Sequence, residues 1–371
     1  MQRKIPFLNL SKLYETYRED VLHAMNQVLD RAHYISGPCL DEFEKTFAHW
    51  VLPGSYCVGC ANGTDAIILA AKALQLPEGT EAIVPAMTYF ASVSALLHAR
   101  LKVRLVDVVE ETALLNLDEV EKSIGPDTRL LVPVHLYGQM PDMERLRVIA
   151  DKHQCQILED ASQAHGARWK DTPVGALSDI ATFSFYPGKN LGAFGDAGAI
   201  LTRNQTWAQR CRALGNQGGL QKYQHDCLGY NSRLDELQAV VLSVKLRFVD
   251  EWTEKRRTLA DQYRRMLAGI PSLGLPVEDP SAKSVYHLFV IRVEQREKIR
   301  KFLSDKGVET GVHYPKAIHQ LPALRGMFAG QRFPIAERLA EQGVSLPLCP
   351  TLTPDDIEYV CDVIREYAEY R

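Results

Sequence analysis

The strongest constraint on the fold is the alternation of short β-type runs with helical segments in the first half of the chain. The predicted strands are Tyr56–Gly59, Ala82–Pro85, Val103–Val106, Leu130–Val134, Gln156–Leu158, Ile180–Phe185 and Ala199–Thr202. Between them lie predicted helices, which include Thr64–Leu74, Tyr89–Ala99 and Asp142–Lys152. This order predicts an α/β fold with a mostly parallel, seven-stranded sheet, which binds ligands at the carboxyl ends of its strands.

The second half of the chain has a different pattern. Helices are predicted over Asn231–Lys245, Asp250–Ala268 and Glu297–Lys306, strands near Val285–Val293, and a closing helix from Pro354. The chain has 371 residues, which is more than one ordinary core holds. We therefore predict a large α/β domain over residues 1–250 and a smaller C-terminal α+β domain over residues 251–371.

The composition argues against several classes of partner. A net charge of −3 provides no basic surface for nucleic acid. No apolar run approaches the roughly 20 residues that a membrane helix needs. The opening MQRKIPFLNL is not typical of a signal peptide. We therefore expect a cytoplasmic protein without a nucleic-acid or membrane partner.

The cysteines do not predict a metal site. Cys57 and Cys60 have C-x-x-C spacing, but a zinc site would need a second pair at similar spacing, and the sequence has none. A redox pair remains an alternative. The flanking YCVGCANGTDA favours two small side chains at the end of a strand, with free thiols throughout.

Two loops that follow predicted strands carry groups suited to an anionic or aromatic ligand. In the loop 61–66, Gly63 and Thr64 precede a helix, where free backbone N–H groups suit a phosphate, although a simple helix cap has the same appearance. The next run, Ile157–Gly166, ends its strand in Glu159 and Asp160. We expect one acid to face solvent or a helix and the other to face a site, where it can hold a heteroaromatic nitrogen protonated. A helix cap is again the alternative.

Two further loops contain a candidate nucleophile and a polar helix start. Lys189 follows a strand in FSFYPGKNLG, between aromatic residues and glycines, and Ser184 lies five residues before it. A desolvated lysine has a lowered pKa and becomes an amine nucleophile, although surface lysines are common. Asn231 lies at a predicted helix start in GYNSRLDE, where capping alone would explain it.

These weak signals form an ordered set when they are combined. A phosphate loop precedes an acid, and Lys189 follows Asp160 by 29 residues on one strand–helix scaffold. A lysine for a Schiff base, a carboxylate partner for a pyridinium nitrogen and a phosphate cradle are the parts that pyridoxal 5′-phosphate requires.

The sequence resembles the StrS/DegT-type sugar aminotransferases, a branch of the fold-type I pyridoxal-phosphate enzymes, over nearly its whole length. The motifs that carry the resemblance follow one another in the order IPFLNL, SGPCLDEFEKTFA, ANGTDAI, VPAMTYFAS, VHLYGQMPDM, LEDASQAHGA, FSFYPGKNLGAFGDAGAI, GYNSRLDELQA, GVHYPKAIHQLPAL and SLPLCPTLT.

The resemblance implies a role for each candidate cofactor residue. Lys189 would bond the cofactor as a Schiff base, and Asp160 would pair with its pyridine nitrogen. Gln163 would lie near the ring oxygen, and Tyr89 would stack on the ring. Gly63, Thr64 and Ser184 would bind the phosphate, which Asn231 would reach from the second subunit of a homodimer with shared active sites.

The resemblance also implies the substrate side and the reaction. Tyr186, His313, Tyr314 and His319 would line the sugar pocket, whereas His165 would be either a site residue or a histidine beside the site. The reaction would be a ping-pong transfer of an amino group from an amino acid, expected to be L-glutamate, to a nucleotide-linked keto sugar. The stretches IPFLNL and GVHYP favour C3 of a dTDP-linked 3-keto-6-deoxyhexose.

Four alternatives compete with this interpretation. Related sugar dehydratases carry histidine at the position of Lys189, which argues against dehydration here. A 4-keto nucleotide sugar and a keto-inositol remain open as acceptors, because the motifs contact the cofactor more than the acceptor. A non-catalytic regulator would need an added effector module, for which the chain has no spare segment.

Overall fold

The structure is a computed structural model that describes residues 3–271 and 273–369. Its α-helices are α1 Leu10–Tyr14, α2 Arg18–Arg31, α3 Pro38–Val51, α4 Gly63–Ala73, α5 Phe90–His98, α6 Leu117–Ser123, α7 Met143–Lys152, α8 Gln205–Gly215, α9 Glu236–Leu246, α10 Val249–Leu267, α11 Arg296–Asp305, α12 Pro334–Gln342 and α13 Pro354–Glu369. Two short 3-10 helices cover Leu136–Gly138 and Ile318–Gln320.

The central sheet has seven strands, as the sequence predicts. The strands of all three sheets, in chain order, are β1 Tyr56–Cys60, β2 Glu81–Pro85, β3 Lys102–Val106, β4 Thr128–Leu131, β5 Gln156–Asp160, β6 Arg168–Trp169, β7 Thr172–Pro173, β8 Ile180–Ser184, β9 Gly198–Thr202, β10 Ala282–Lys283, β11 Phe289–Arg292 and β12 Gly343–Leu346. The order across the large sheet is β1-β9-β8-β5-β4-β2-β3. Only β9 runs against its neighbours in this sheet, so the prediction of a mostly parallel sheet is confirmed.

Helices cover both faces of this sheet because its central strands are apolar on both sides. The predicted strand at Gln156–Leu158 extends to Asp160, and its last four residues are all buried. On one face, α3 buries Phe43 and Phe47, which are four residues apart and stack with ring centroids 5.5 Å apart. On the other face, α4 begins after Asn62, whose side chain accepts a hydrogen bond from the backbone N–H of Asp65.

The prediction of a helix starting at Asn231 is wrong. The helix begins at Glu236, because residues 231–235 are held extended by pairing with distant segments. Asn231 bridges to Asn216, and Asp235 bridges to Ile35. The Glu236 carboxylate then accepts hydrogen bonds from backbone N–H groups at the start of α3, where negative charge is stabilised.

A separate core lies in the C-terminal part of the chain. The short sheet of β11 and β12 packs with α10, α11 and α13 around Tyr263 and Phe289, whose rings stack with centroids 4.9 Å apart. Ile5 joins this core and forms a bridge with Val308. We keep the division of the chain at residue 250 as a proposal.

Neither a membrane-spanning helix nor a metal-binding cluster is present among the described residues. In the described ranges, no helix has the length and apolar character required to cross a membrane. Residues 3–271 and 273–369 also contain no cluster of three or more His, Cys, Asp or Glu side chains placed to hold a metal ion. Cys57 and Cys60 both lie in β1, buried and unpaired as disulfides.

Candidate active site at the carboxyl edge of the sheet

A cavity of about 530 Å³ lies at the carboxyl ends of β1, β2, β5 and β8. Segments from the C-terminal core close its opposite side, among them residues 287–288 and 346–348. The cavity wall contains ten of the twelve residues that the sequence predicts for the site: Gly63, Thr64, Tyr89, Asp160, Gln163, Ser184, Tyr186, Lys189, His313 and Tyr314.

One end of the cavity is shaped for an anion. Gly63 opens α4, and a Cβ atom placed there would lie 2.6 Å from the Cβ of Ser184. A Cβ on Gly198 would similarly lie 2.5 Å from the carbonyl of Asn62. Only glycine at these two positions therefore lets the start of α4 approach the last residue of β8 and the first residue of β9 this closely. Among the described residues, no acceptor receives the backbone N–H groups of Gly63 and Thr64, which remain available to a phosphate.

A buried carboxylate lies across the cavity from this helix start. Asp160 is the last residue of β5 and is 5% exposed. Its Oδ2 accepts a hydrogen bond of 2.7 Å from the Ser92 hydroxyl, and its Oδ1 accepts one of 3.2 Å from the backbone N–H of Ser162. These two donors fix the plane of the carboxylate, which can then hold a cationic ring nitrogen in the cavity.

The neighbouring Glu159 does not face solvent, which corrects part of the prediction for this pair. It points to the other side of β5 and is completely buried. Its Oε2 lies 2.6 Å from Nε2 of His135, and its Oε1 accepts a hydrogen bond from the backbone N–H of Gly175. Alternation along β5 therefore gives Glu159 a structural position and gives Asp160 the cavity.

Lys189 lies on the cavity wall beyond β8, in electrostatic range of Asp160. Burial disfavours the charged ammonium and lowers the pKa of Lys189 to about 8, although the Asp160 carboxylate opposes part of this shift. A much larger fraction of this amine is therefore neutral near physiological pH than for an ordinary surface lysine. Such an amine can attack a carbonyl carbon and can exchange protons.

A hydrogen bond and a ring contact connect the predicted residues Gln163, Tyr314 and Tyr89 on the wall. Gln163 accepts a 2.6 Å hydrogen bond at Oε1 from the backbone N–H of Tyr137, and its Nε2 donates one of 3.0 Å to the Tyr314 hydroxyl. Burial and the nearby Asp160 charge raise the pKa of Tyr314 above its usual value. The Tyr314 ring lies 5.4 Å from the ring of Tyr89, which is 57% exposed at the mouth of the cavity.

His313 and Tyr186 border the remaining space. The Nδ1 atom of His313 lies 2.7 Å from the Ser345 hydroxyl, and its ring stacks on Phe7 at 5.8 Å. Burial and the charge of Lys189 lower the pKa of His313 to about 4, so the ring is neutral near pH 7. Tyr186 is 60% exposed and leaves its ring available at the entrance.

Two predicted residues, Asn231 and His319, lie outside the cavity wall of their own chain. His165, for which the sequence left open a position in the site or beside it, also lies outside the wall. Asn231 is exposed on the segment before α9. His319 is buried, with Nε2 3.0 Å from Glu337 and its ring against Phe333, so the structure does not bring it to the cavity, and its assignment to the sugar pocket stays a prediction. His165 is fully buried behind the site between Phe183 and Phe185.

Several wall residues were not predicted from the sequence. They are Phe7, Leu8, Ser92, Arg256 and His287, which reach the cavity from elements far apart in the chain. The Nδ1 atom of His287 lies 3.0 Å from Oδ1 of Asn190, the residue after Lys189. Nδ2 of Asn190 donates to the carbonyl of Val285, which leaves Oδ1 as the acceptor and assigns the proton to Nδ1 of His287. Among these five residues, the sequence carried a signal only for Ser92, which lies four residues after Thr88 at the start of a helix.

The cavity fits pyridoxal 5′-phosphate on chemical grounds. It combines unpaired amides in a glycine-lined cradle, a carboxylate for the pyridine nitrogen and a lysine amine of lowered pKa. Gly63, Thr64 and Ser184 would hold the phosphate, Asp160 the ring nitrogen and Lys189 the aldehyde carbon.

Comparisons with known proteins agree with this chemistry. The family model described as the DegT/DnrJ/EryC1/StrS aminotransferase family matches residues 15–365. A relative from Streptomyces venezuelae, dTDP-3-amino-3,4,6-trideoxy-alpha-D-glucose transaminase, is 44% identical over 99% of this chain and 97% of the relative. A second, dTDP-3-amino-3,6-dideoxy-alpha-D-galactopyranose transaminase from Aneurinibacillus thermoaerophilus, is 39% identical over 98% of this chain and 99% of its own.

The solved structures give the same result at the level of the fold. The crystal structure of S. venezuelae DesV in complex with a ketimine intermediate superposes with a TM-score of 0.96 at 44% identity, and the match covers 99% of each chain. The chain therefore belongs to the DegT/DnrJ/EryC1/StrS aminotransferase family and is a pyridoxal-phosphate-dependent aminotransferase.

Proposed function

We propose that the enzyme transfers the amino group of L-glutamate to C3 of a dTDP-linked 3-keto-6-deoxyhexose. The observation that carries the proposal is that one cavity holds Lys189, Asp160 and the free amides of α4. The two relatives named above act, by their names, on sugars aminated at C3, and each aligns with nearly the whole chain. The products are the 3-amino sugar and the 2-oxo acid left by the donor.

The residues on the wall divide this chemistry between them. When bound, pyridoxal 5′-phosphate withdraws electrons from the carbon that carries the amino group, which makes the proton on that carbon acidic. Asp160 keeps a proton on the ring nitrogen, since a nearby negative charge favours the cationic form. Tyr89 would cover a face of the ring, and Gln163 would lie near its oxygen.

Lys189 is the residue that moves protons. Its amine is partly neutral near pH 7 because burial lowers its pKa to about 8. In the first half-reaction it would take the proton from the donor's α-carbon and pass it to the cofactor carbon that carries the amino nitrogen. In the second half-reaction it would take a proton back from that carbon and deliver it to C3 of the sugar. Microscopic reversibility requires the same group to act as base in one direction and as acid in the other.

The sugar enters from the side that Tyr186, His313 and Tyr314 border. His313 is neutral near pH 7, so its imidazole can accept a hydrogen bond from a sugar hydroxyl or donate one to it without adding charge. Tyr186 offers an exposed ring at the entrance, where a ligand can stack. His319 has no part in this proposal.

The homodimer with shared active sites is part of the same proposal. Asn231 is exposed and lies outside the cavity wall of its own chain, so a role at the cofactor site requires a second copy. A two-fold dimer would make this contribution reciprocal between the two subunits. Asn231 would then reach the phosphate in the partner's cavity.

A half-reaction assay tests the substrate assignment. The enzyme loaded with pyridoxamine 5′-phosphate is mixed with matched 3-keto and 4-keto dTDP-sugars and a keto-inositol, and return of the pyridoxal absorbance is followed. We expect fast return with the 3-keto sugar and slow return with the others. Faster return with a 4-keto sugar or keto-inositol would replace the proposed acceptor, and no return with any of them would overturn amino transfer to these acceptors.

Mixed dimers test the shared site. We expect Lys189→Ala and Asn231→Ala dimers each to have little activity, and subunit exchange between them creates one site with both native residues. We expect activity to rise on mixing toward about one quarter of wild type, because random exchange yields half mixed dimers with one intact site each. No rise despite proven exchange would exclude a contribution of Asn231 across the interface.

A further inference from the structure

Arg256 of α10 is a buried cation in the cavity wall with no acidic partner. It is 4% exposed, and it lies on the wall with Lys189 and His287. None of the ion pairs formed within the described ranges includes it. Burial lowers the pKa of Arg256, and no carboxylate opposes this effect. A buried charge without a counter-ion is costly, which makes this arginine unusual among the charged residues of the fold.

The hydrogen bonds of Arg256 use only one of its three nitrogens. Nη1 donates to the carbonyls of Leu348, Tyr286 and His287 at 2.6, 3.3 and 3.4 Å. Within residues 3–271 and 273–369, Nε and Nη2 of Arg256 have no hydrogen-bond acceptor. Neither atom is completely buried, so both remain accessible from the cavity. The three carbonyls fix the guanidinium plane and leave its other edge able to donate two parallel hydrogen bonds.

The position of this free edge limits the anion that it can take. Arg256 donates to the backbone carbonyl of His287, and the His287 ring bonds Asn190, the residue after Lys189, so the arginine lies at the reacting end of the cavity. The other charged side chains on the wall are Asp160 and Asp196, which repel anions. The cofactor phosphate has its own cradle at the start of α4. A nucleotide diphosphate is attached to the sugar at a distance from the ketone, whereas an amino acid carries its carboxylate on the reacting carbon.

We infer that the free edge of Arg256 binds a carboxylate of the amino-acid donor, the α-carboxylate being the group it fits. This inference rests on the proposed function and adds the residue that selects the donor. A carboxylate matches the guanidinium fork with two parallel hydrogen bonds and supplies the missing counter-charge. The sugar is uncharged near its ketone, so Arg256 distinguishes the substrates of the two half-reactions.

The experiment compares Arg256→Gln and Arg256→Lys with a matched control, Arg257→Gln. Arg257 is the next residue of α10, but it donates to the Ser284 carbonyl, pairs with Glu278 at 3.5 Å and is not part of the cavity wall. The pyridoxal-loaded enzyme is titrated with glutarate, a dicarboxylate that lacks an amine, by calorimetry. The glutamate half-reaction and the sugar half-reaction are measured separately by absorbance.

We expect Arg256→Gln to raise the glutarate Kd and the half-saturating glutamate concentration by about 10- to 100-fold. Arg256→Lys should weaken both by less, since it keeps the charge and loses the fork. Half-saturation by the nucleotide sugar should change less than threefold, and Arg257→Gln should resemble wild type. Binding of glutarate that is unchanged in both Arg256 variants would overturn the inference, as would an equal loss in both half-reactions.

The Arg256→Lys variant and the reaction of the wild-type enzyme with amino acids separate a failure of the Arg256 assignment from a failure of the proposed function. If Arg256→Gln does not fold, Arg256→Lys carries the comparison, because it retains a donor for the Leu348 carbonyl. A wild-type enzyme that reacts with no amino acid at all would contradict the proposed function itself. A wild-type enzyme that reacts with glutamate while the Arg256→Lys variant keeps full glutarate affinity contradicts only the role of Arg256.

Discussion

The Ser92 hydroxyl donates a 2.7 Å hydrogen bond to Oδ2 of Asp160, and both side chains are buried. Oγ1 of Thr88 lies 2.8 Å from Ser92 Oγ, at the beginning of α5. The carboxylate assigned to the cofactor nitrogen is therefore oriented by a helix that also follows the aromatic residue Tyr89. Under the proposed roles, one short segment, residues 88–92, would position both the edge and the face of the ring.

Removal of the Ser92 hydroxyl should reduce turnover without preventing folding. A hydrogen bond to a charged group contributes about 1.5–3 kcal/mol, and Asp160 keeps its second donor at Oδ1, so we expect the lower end of this range and a fall in kcat of about tenfold for Ser92→Ala. Ser94→Ala is the matched control, since Ser94 is on the same helix and outside the cavity wall. Steady-state kinetics of both variants give the comparison, and equal kcat values would show that Ser92 has no effect on Asp160.

Replacement of Asp160 itself should have a much larger effect. Asp160→Asn keeps the size of the side chain and removes the negative charge that holds the ring nitrogen protonated. We expect kcat to fall by about 100- to 1000-fold, the size typical of a lost electrostatic partner at the reacting centre. Spectral titration with pyridoxal 5′-phosphate should still show binding. Turnover within threefold of wild type would remove Asp160 from its assigned role.

The lowered pKa of Lys189 predicts how the apoenzyme captures its cofactor. Burial holds this pKa near 8, so the reactive neutral amine is present above about pH 8 and is lost as the pH falls below it. The capture rate should rise about tenfold per pH unit below 8 and level off above 8.5, whereas an ordinary lysine would level off only above about 10.4. Stopped-flow absorbance from pH 6.5 to 10 measures the profile, with Lys189→Ala as the control that lacks the covalent phase.

Much of the scaffold could be predicted because its signals are local. The seven strands of the large sheet are short apolar runs, and their predicted ranges differ from the observed ones by a few residues at most. Asp160 ends β5 and Lys189 lies five residues beyond the end of β8, so strand prediction alone brings them to the same edge of the sheet. Periodicity and position after a strand were sufficient for these two residues.

The remaining features depend on contacts between distant segments. Asn231 was assigned to a helix because the sequence has a good cap there, but pairing with Asn216 keeps the backbone extended. Arg256 stands in the charged run EKRR and resembles a surface residue in the sequence. The fold buries it against the backbone carbonyls of Tyr286, His287 and Leu348. His319 follows a site segment closely in sequence, yet the short helix Ile318–Gln320 turns it toward Glu337.

The cradle at the start of α4 should tolerate no side chain at residue 63. A Cβ on Gly63 would meet the Ser184 Cβ at 2.6 Å, so Gly63→Ala must displace either the helix or the end of β8. Such overpacking costs about 1–3 kcal/mol, and we expect cofactor affinity to fall by about 10- to 100-fold. Gly326→Ala is the control, because nothing lies within 4 Å of a Cβ at that position. Unchanged cofactor affinity by fluorescence titration would show that the approach of α4 to β8 does not form the phosphate site.

The buried pair behind the site should control stability more than chemistry. His135 and Glu159 are fully buried, 2.6 Å apart, and Glu159 also accepts from the Gly175 backbone. Glu159→Ala leaves both donors without an acceptor, so we expect a loss of about 3–5 kcal/mol in the free energy of unfolding, measured with urea. Glu121→Ala breaks an exposed pair with Lys152, which solvent screens, and should change the free energy of unfolding far less. Because Asp160 follows Glu159 on β5, a displaced strand would also weaken cofactor binding, and equal unfolding free energies for the two variants would contradict a stabilising role for the pair.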